Sequence, residues 1–375
     1  MEPATALAPA KALEPAAAPE PAATTTTTTT PPADADHVAL AWAHYLRLGS
    51  PRYWAAPLVG RSDLAWRILV RRHGAQCASS PMIDAAGFVR SAKYRAQWRL
   101  GEPGDAPLVV QLGSGNAADA AAAAALCAQE CEGCVVELNV GCPQRCAKRT
   151  KSGAFLLEDP DRLCEIVAAM RAAVPAATTV ACKIRVLEAD GDTVALARRL
   201  QGAGCGLLTV HGRTRRQGGG KATGGELASW PTIAAVARAV EIPVVANGNV
   251  RHRADAEQCI RETGCAAVMS GCGLLRDPFM YERPLDLATA GELPAHIGWQ
   301  GRRAMALEYL AIRNERCAES KDDGAGVAKH MKDILGGSLA PPSDDQAAWA
   351  EFRAALTKHG GGPTLELQLM LEAMQ

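Results

Sequence analysis

From residue 55 onward, short apolar runs rich in Val, Leu, Ile and Ala alternate with longer alanine-rich stretches. The runs are APLVG (56–60), CASSPMI (77–83), LVVQLG (108–113), VVELNVGC (135–142), TVACKIRV (179–186), LLTVHGRT (207–214), PVVANGNV (243–250) and AAVMSGCG (266–273). Between them, stretches such as NAADAAAAAALCAQEC and WPTIAAVARAV repeat apolar positions every three or four residues, the spacing of one helix face. Strand then helix, repeated, makes neighbouring strands parallel. Parallel strands are covered on both faces, which accounts for runs that are apolar throughout rather than alternating. Eight such units over roughly 230 residues match a closed (β/α)8 TIM barrel in size. An open doubly wound sheet is the alternative, but it normally has fewer strands and a Gly-rich turn after the first, where this chain reads VGRSDLAWR.

The pattern fails at both ends. Residues 1–36 are a repetitive Ala/Pro/Thr segment with little apolar bulk to offset the entropy of ordering, and disorder is expected there. This segment lacks the basic and apolar blocks of a secretory signal and the arginines of a transit peptide. The barrel is expected over residues 50–283. Residues 284–375 form a helical C-terminal domain in this reading, with amphipathic stretches PAHIGWQGRRAMALEYLAIRNERCAES and DQAAWAEFRAALTKHG. No apolar run reaches membrane-spanning length, so no membrane contact is expected. The formal net charge is zero, so any attraction for nucleic acid must be local. Thirteen cysteines scattered through apolar segments read as reduced thiols in the cytoplasm or nucleus.

In barrels of this kind chemistry gathers at the carboxyl ends of the strands. The polar residues there are Gln111, Asn139 with Cys142, Lys183 with Arg185, His211, Asn247 with Asn249, and Gly271 with Gly273. Any one alone is a satisfied core group or a turn residue; five consecutive strands ending this way point to a shared mouth. Glycines after strands seven and eight suit a phosphate held by backbone N–H groups. Lys183 offers a point charge and Gln111 both a donor and an acceptor for a heterocycle edge. Together these suggest flavin mononucleotide (FMN). Cys142, between Gly141 and Pro143, is either a general acid facing such a ring or a small buried hydrophobe. Lys148, Arg149 and Lys151 beside it, and Arg213, Arg215, Arg216 and Lys221 after strand six, set two basic loops on one face and suggest an anionic polymer.

The segments LNVGCPQ…AKR…GAFLL, CKIRV, LLTVHGRT, SWPTIAAVARAVEIPVVANGNV and AAVMSGCGLLRDPFMYE together resemble the tRNA-dihydrouridine synthase family over about residues 55–283, in the eukaryotic type acting at tRNA positions 16 and 17. The resemblance implies an oxidoreductase in which NADPH (or NADH) reduces FMN, hydride passes to carbon 6 of a D-loop uracil, and Cys142 protonates carbon 5. It places Pro57, Leu58, Val59, Gln111, Lys183, His211, Asn247, Gly248, Asn249, Gly271 and Cys272 around the flavin. Transfer RNA is then expected at Asn139, Lys148, Arg149, Arg185, Arg213, Arg215 and Arg216, no metal is expected, and the enzyme is taken as a monomer. The chain departs from the family in reading APL where APM is usual, in having Gly60 where a polar residue is usual, and in the residues before GAF. Leucine for methionine is nearly volume-conserving, so the flavin site should survive. In the family the C-terminal region binds RNA; here that role would rest on Arg302, Arg303, Lys329, His330 and Lys332, with KHMKDIL the favoured stretch and a plain helical cap the alternative.

Three other readings compete. Cys127, Cys131 and Cys134 have a C-x3-C-x2-C spacing shared with radical SAM iron–sulfur enzymes, but they close the helix leading into the fourth strand and belong at the barrel's bottom. A non-catalytic tRNA-binding protein would keep the fold and be colourless. An FMN barrel reducing a small pyrimidine or enone would have no use for two basic loops.

Overall fold

The computed structural model describes residues 33–217, 226–290, 297–317, 324–335, 346–358 and 364–374. Eight parallel strands close on themselves: β1 (Tyr53–Ala55), β2 (Cys77–Ser79), β4 (Leu108–Gly113), β5 (Val135–Val140), β6 (Val180–Arg185), β7 (Leu207–His211), β8 (Val244–Asn247) and β9 (Ala267–Ser270). Closure comes from β1, which pairs with both β2 and β9. A two-residue strand, β3 (Ile83–Asp84), adds to the far end of β4. The barrel expectation therefore holds, with two corrections of extent. The first strand is YWA at 53–55 and not 56–60, because Pro57 has no N–H for a ladder and the chain turns at Leu58, whose carbonyl accepts from the N–H groups of Arg61 and Ser62. The second run, 77–83, breaks after Ser79 at Pro81 into β2 and β3.

Each strand alternates its two faces, and the outward parity packs on the helices. Val110, Leu112, Val136, Leu138, Cys182, Ile184, Leu208, Val210, Val244 and Ala246 share one apolar cluster with helices Ala117–Glu130 and Pro160–Ala173. The inward parity forms a separate cluster of Trp54, Cys77, Val109, Val135, Ala181, Leu207, Val245 and Ala267 in the lower half of the barrel. Two residues further along the same strands, the inward parity becomes polar: Gln111, Glu137, Lys183, Thr209 and Asn247.

The floor is closed by a helix, Ala33–Arg47. Its first residues fall inside the segment expected to be disordered to residue 36, so helix begins at least by Ala33; residues 1–32 lie outside the described residues. Buried Tyr45 donates to the carbonyls of Pro51 (2.9 Å) and Ala266 (3.2 Å), and His44 bonds Thr179 Oγ1 at 2.7 Å. Trp42 and His37 reach the carbonyls of Glu241 and Cys205. The helix thus bonds the starts of several strands, which extends the barrel unit upstream of residue 50.

Among the described C-terminal residues, helices Trp299–Cys317, Gly324–Leu335, Gln346–Lys358 and Leu365–Glu372 pack on helix Leu64–Arg72 in one apolar cluster. Most of the residues favoured there for RNA contact are used for this packing. His330 is fully buried, stacked on Trp66 with ring centroids 4.7 Å apart and 3.4 Å from the carboxylate of Asp63. Arg302 donates to the carbonyls of Ile297 and Ile334, and Arg303 to those of Leu371 and Glu372. Asp333 pairs with Arg61, leaving Lys332 as the exposed cation of the KHMKDIL stretch. No described helix is long and apolar enough to cross a membrane.

Candidate active site

The polar inward positions meet because strand pairing sets them at matching heights. Gln111 stands opposite Glu137, Asn139 opposite Lys183, Lys183 opposite Thr209, Arg185 opposite His211, and His211 opposite Asn247. The result is a polar belt made of two hydrogen-bonded groups. Gln111 Nε2 donates to Glu137 Oε1 at 2.7 Å, and Thr209 Oγ1 donates to Glu137 Oε2 at 3.2 Å. Asn139 Nδ2 donates to Gln111 Oε1 at 2.7 Å; Lys183 Nζ donates to Asn247 Oδ1 at 2.8 Å, and Asn247 Nδ2 donates to the carbonyl of Met269 at 2.9 Å.

Glu137 is the member that reading strand ends missed. It is fully buried, and burial pushes its carboxyl above the ordinary range against the opposing pull of the Lys183 ammonium and the bonds from Gln111 and Thr209. The signal was present in VVELNV, where a carboxylate interrupts a buried run at the parity of Asn139. Burial likewise pulls Lys183 down to about 8, with Glu137 holding it up and Arg185 pushing it further down.

Cys142 sits just past β5, half-buried, in a loop fixed from several sides. Asn139 Oδ1 accepts from the N–H groups of Gly141 (3.2 Å) and Cys142 (3.0 Å), and the carbonyl of Cys142 accepts from Ala154 N–H at 3.0 Å. Gly153 adopts φ +59°, and a Cβ there would lie 2.7 Å from the Cys142 carbonyl oxygen, so only glycine lets this segment approach. Buried Arg185 donates through Nε to Gly141 O (2.8 Å) and through Nη1 to Thr214 O (2.8 Å), tying the thiol loop to the loop after β7.

His211 is held neutral. Burial, then the charges of Lys183, Arg185 and Arg213, drives its pKa well below the ordinary value. Arg213 Nη1 lies 3.2 Å from His211 Nε2; since a guanidinium only donates, Nε2 is the bare nitrogen and Nδ1 carries the proton. Arg213 also donates to Asn249 Oδ1 at 2.6 Å and to Glu226 O at 2.8 Å. These bonds hold the turn after β8, where Gly248 (φ +116°) and Asn249 (φ 61°) both leave the ordinary backbone region. A Cβ on Gly248 would come within 2.6 Å of Ala228 Cβ. Gly271 precedes the short helix Cys272–Arg276, with exposed Cys272 at its start and Leu58 packed close by.

The sequence-selected residues therefore divide. Gln111, Cys142, Lys183, His211, Asn247, Gly248, Asn249 and Gly271 stand at the carboxyl ends of one barrel, with Pro57 and Leu58 half-buried on the loop after β1 and Val59 exposed. Of those assigned to an RNA, Lys148 and Arg149 are exposed, whereas Asn139, Arg185 and Arg213 are turned inward and engaged in the bonds above. Arg215 pairs with Glu158 and lies over the Phe155 ring at 4.5 Å, and Arg216 faces Glu188 at 3.9 Å. Lys221 lies outside the described residues. Cys127, Cys131 and Cys134 are buried at the end of the helix entering β5, the face opposite the mouth.

The model of the family described as dihydrouridine synthase (Dus) matches residues 54–368. The chain belongs to the dihydrouridine synthase family. Among curated dihydrouridine synthases, it is 47% identical over 270 residues to a Rattus norvegicus protein named tRNA-dihydrouridine(16/17) synthase-like, NAD(P)(+) type, covering 71% of this chain and 56% of that one. It is 34% identical over 316 residues to the Saccharomyces cerevisiae tRNA-dihydrouridine(16/17) synthase, covering 83% of this chain and 71% of that protein. A Cupriavidus necator tRNA-dihydrouridine(16) synthase is 38% identical over 250 residues, 65% of this chain and 70% of the other. The chain spans about half the length of the rodent relatives it matches, at 56% and 52%.

Proposed function

We propose that this dihydrouridine synthase family member reduces the 5,6 double bond of uracil in the D-loop of tRNA, at positions 16 and 17, with Cys142 as proton donor. The supporting observation is the loop that holds Cys142 at the rim of the polar belt, fixed by Asn139, Ala154 and Arg185. A general acid must be held within reach of the carbon it protonates, and these bonds fix the backbone on both sides of the thiol.

The donor set fits FMN. Half-buried Lys183 supplies positive charge for an electron-rich ring edge, and Gln111 retains one amide hydrogen beyond the one given to Glu137. Neutral His211 and the backbone of Gly248, Asn249, Gly271 and Cys272 would hold its phosphate-bearing tail. FMN held there would supply hydride chemistry for carbon 6, with NADPH or NADH as the reductant. The protein's own work is to orient the uracil, keep Lys183 charged and deliver one proton from Cys142 Sγ to carbon 5. Exposed Lys148 and Arg149, beside the thiol loop, contact the tRNA backbone in this reading. Its place is the cytoplasm or nucleus, acting as a monomer.

The test is the visible spectrum of the purified protein together with dihydrouridine content of tRNA incubated with it and NADPH. A yellow protein that forms dihydrouridine is expected. A colourless protein that binds tRNA would return the non-catalytic reading, and turnover of free uracil but not tRNA would return the small-substrate one.

A further inference from the structure

Beside the Cys142 loop lies a second pocket that the reduction chemistry does not use. Its floor is apolar, from Ala154, Leu157, Val186 and Leu187, and its rim carries two arginines and two glutamates. It adjoins the thiol loop directly: Ala154 N–H bonds the Cys142 carbonyl, and the Arg185 guanidinium that holds Gly141 also holds Thr214 on the pocket wall.

The two ion pairs on the rim differ in kind. Arg215 is mostly covered, pairs with Glu158 and lies over Phe155, so its guanidinium is fixed as a plate. Arg216 and Glu188 are 3.9 Å apart with side chains 84% and 69% exposed, a pair too open and too distant to hold either head strongly. A carboxylate on a rim that meets RNA repels phosphate. Its favourable partners there are donors, the ribose 2′-hydroxyl and the N–H groups of bases, and only the latter differ from base to base. Guanine alone among the four bases offers a carboxylate two adjacent donors, N1–H and the exocyclic N2 amine, with O6 next to them for an arginine. An apolar floor and a fixed guanidinium plate are stacking surfaces for such a ring.

We propose that this pocket binds a guanine base of the RNA close to the target uridine, stacked at Arg215 and read by Glu188 at N1 and N2 and by Arg216 at O6. The inference rests on the tRNA substrate reading and adds a specificity subsite to it.

The experiment uses the full chain and tRNA transcripts in which each guanosine near the modified uridine is replaced in turn by inosine, which lacks the N2 amine. One replacement is expected to raise KM roughly five- to tenfold with kcat nearly unchanged. Glu188→Gln is expected to raise KM on the parent transcript and to remove the difference between guanosine and inosine. Filter retention of the same transcripts reports the discrimination without turnover, so a protein that forms no dihydrouridine yet still discriminates overturns the catalytic reading and keeps the pocket. Equal KM and equal retention across all inosine transcripts overturns the pocket. Sensitivity to replacement of a neighbouring adenosine or pyrimidine instead overturns the guanine assignment.

Discussion

The two halves of the barrel interior are built from the same strands at the same parity, two residues apart, and they do different work. In the lower half Val109, Val135, Ala181, Leu207 and Val245 fill the barrel with apolar volume, capped by Tyr45 and His44 of the N-terminal helix. In the upper half Gln111, Glu137, Lys183, Thr209 and Asn247 replace that volume with a belt whose members satisfy one another. A step of two residues thus converts packing into chemistry. The belt is costly to bury and persists because each polar group has a partner.

The largest effect should come from the mouth. Cys142→Ala is expected to lower dihydrouridine formation by about 100-fold or more while cofactor content stays unchanged, measured by nucleoside mass spectrometry and absorbance. Retained activity would move the proton donor to another group. At the floor the cost should appear in stability instead: Leu207→Ala, which empties part of the lower core, is expected to cost about 2–5 kcal/mol in urea unfolding, with normal turnover by the protein that remains folded. A selective loss of cofactor in that variant would erase the contrast between the halves.

Lys183 tests the belt through pH. Burial lowers its pKa to about 8, so the ammonium is charged below that pH and neutral above it. Affinity for an anionic cofactor should therefore fall as pH rises through about 8. Stability of the ligand-free protein should rise over the interval from there to the ordinary lysine value, because the unfolded chain still holds the proton that the folded one has released. Lys183→Met should weaken cofactor retention roughly tenfold, about 1.4 kcal/mol, and flatten its pH dependence. An unchanged pH profile would remove Lys183 from the site. The smallest expected effect is at the rim: Lys148→Ala should weaken tRNA binding slightly and reduce its salt dependence by about one counterion, read from retention against salt concentration.

Much of this was legible in the residues. The eight-unit alternation predicted the barrel, and Gln111, Cys142, Lys183, His211 and Asn247 stood out because polar groups ended apolar runs. Glu137 escaped because it lies inside its run, and only the register that sets it opposite Gln111 shows that it faces inward. The cations around the mouth diverge in the fold. Arg185 and Arg213 look the same in sequence as Lys148, yet they bond carbonyls and side chains of neighbouring loops. The C-terminal cations diverged for the same reason: His330 stacks on Trp66, while Lys332 faces solvent. The helix over the floor went unseen because its value lies in bonds to strand starts more than a hundred residues away.

By itself the sequence determined the repeat, the fold class, the family and the residue types gathered at the strand ends, since these follow from local periodicity and short motifs. Tertiary structure alone decided which charges are buried, which proton His211 carries, and which arginines are braces. Those properties are set by neighbours distant in the chain, whose approach depends on barrel closure and strand register.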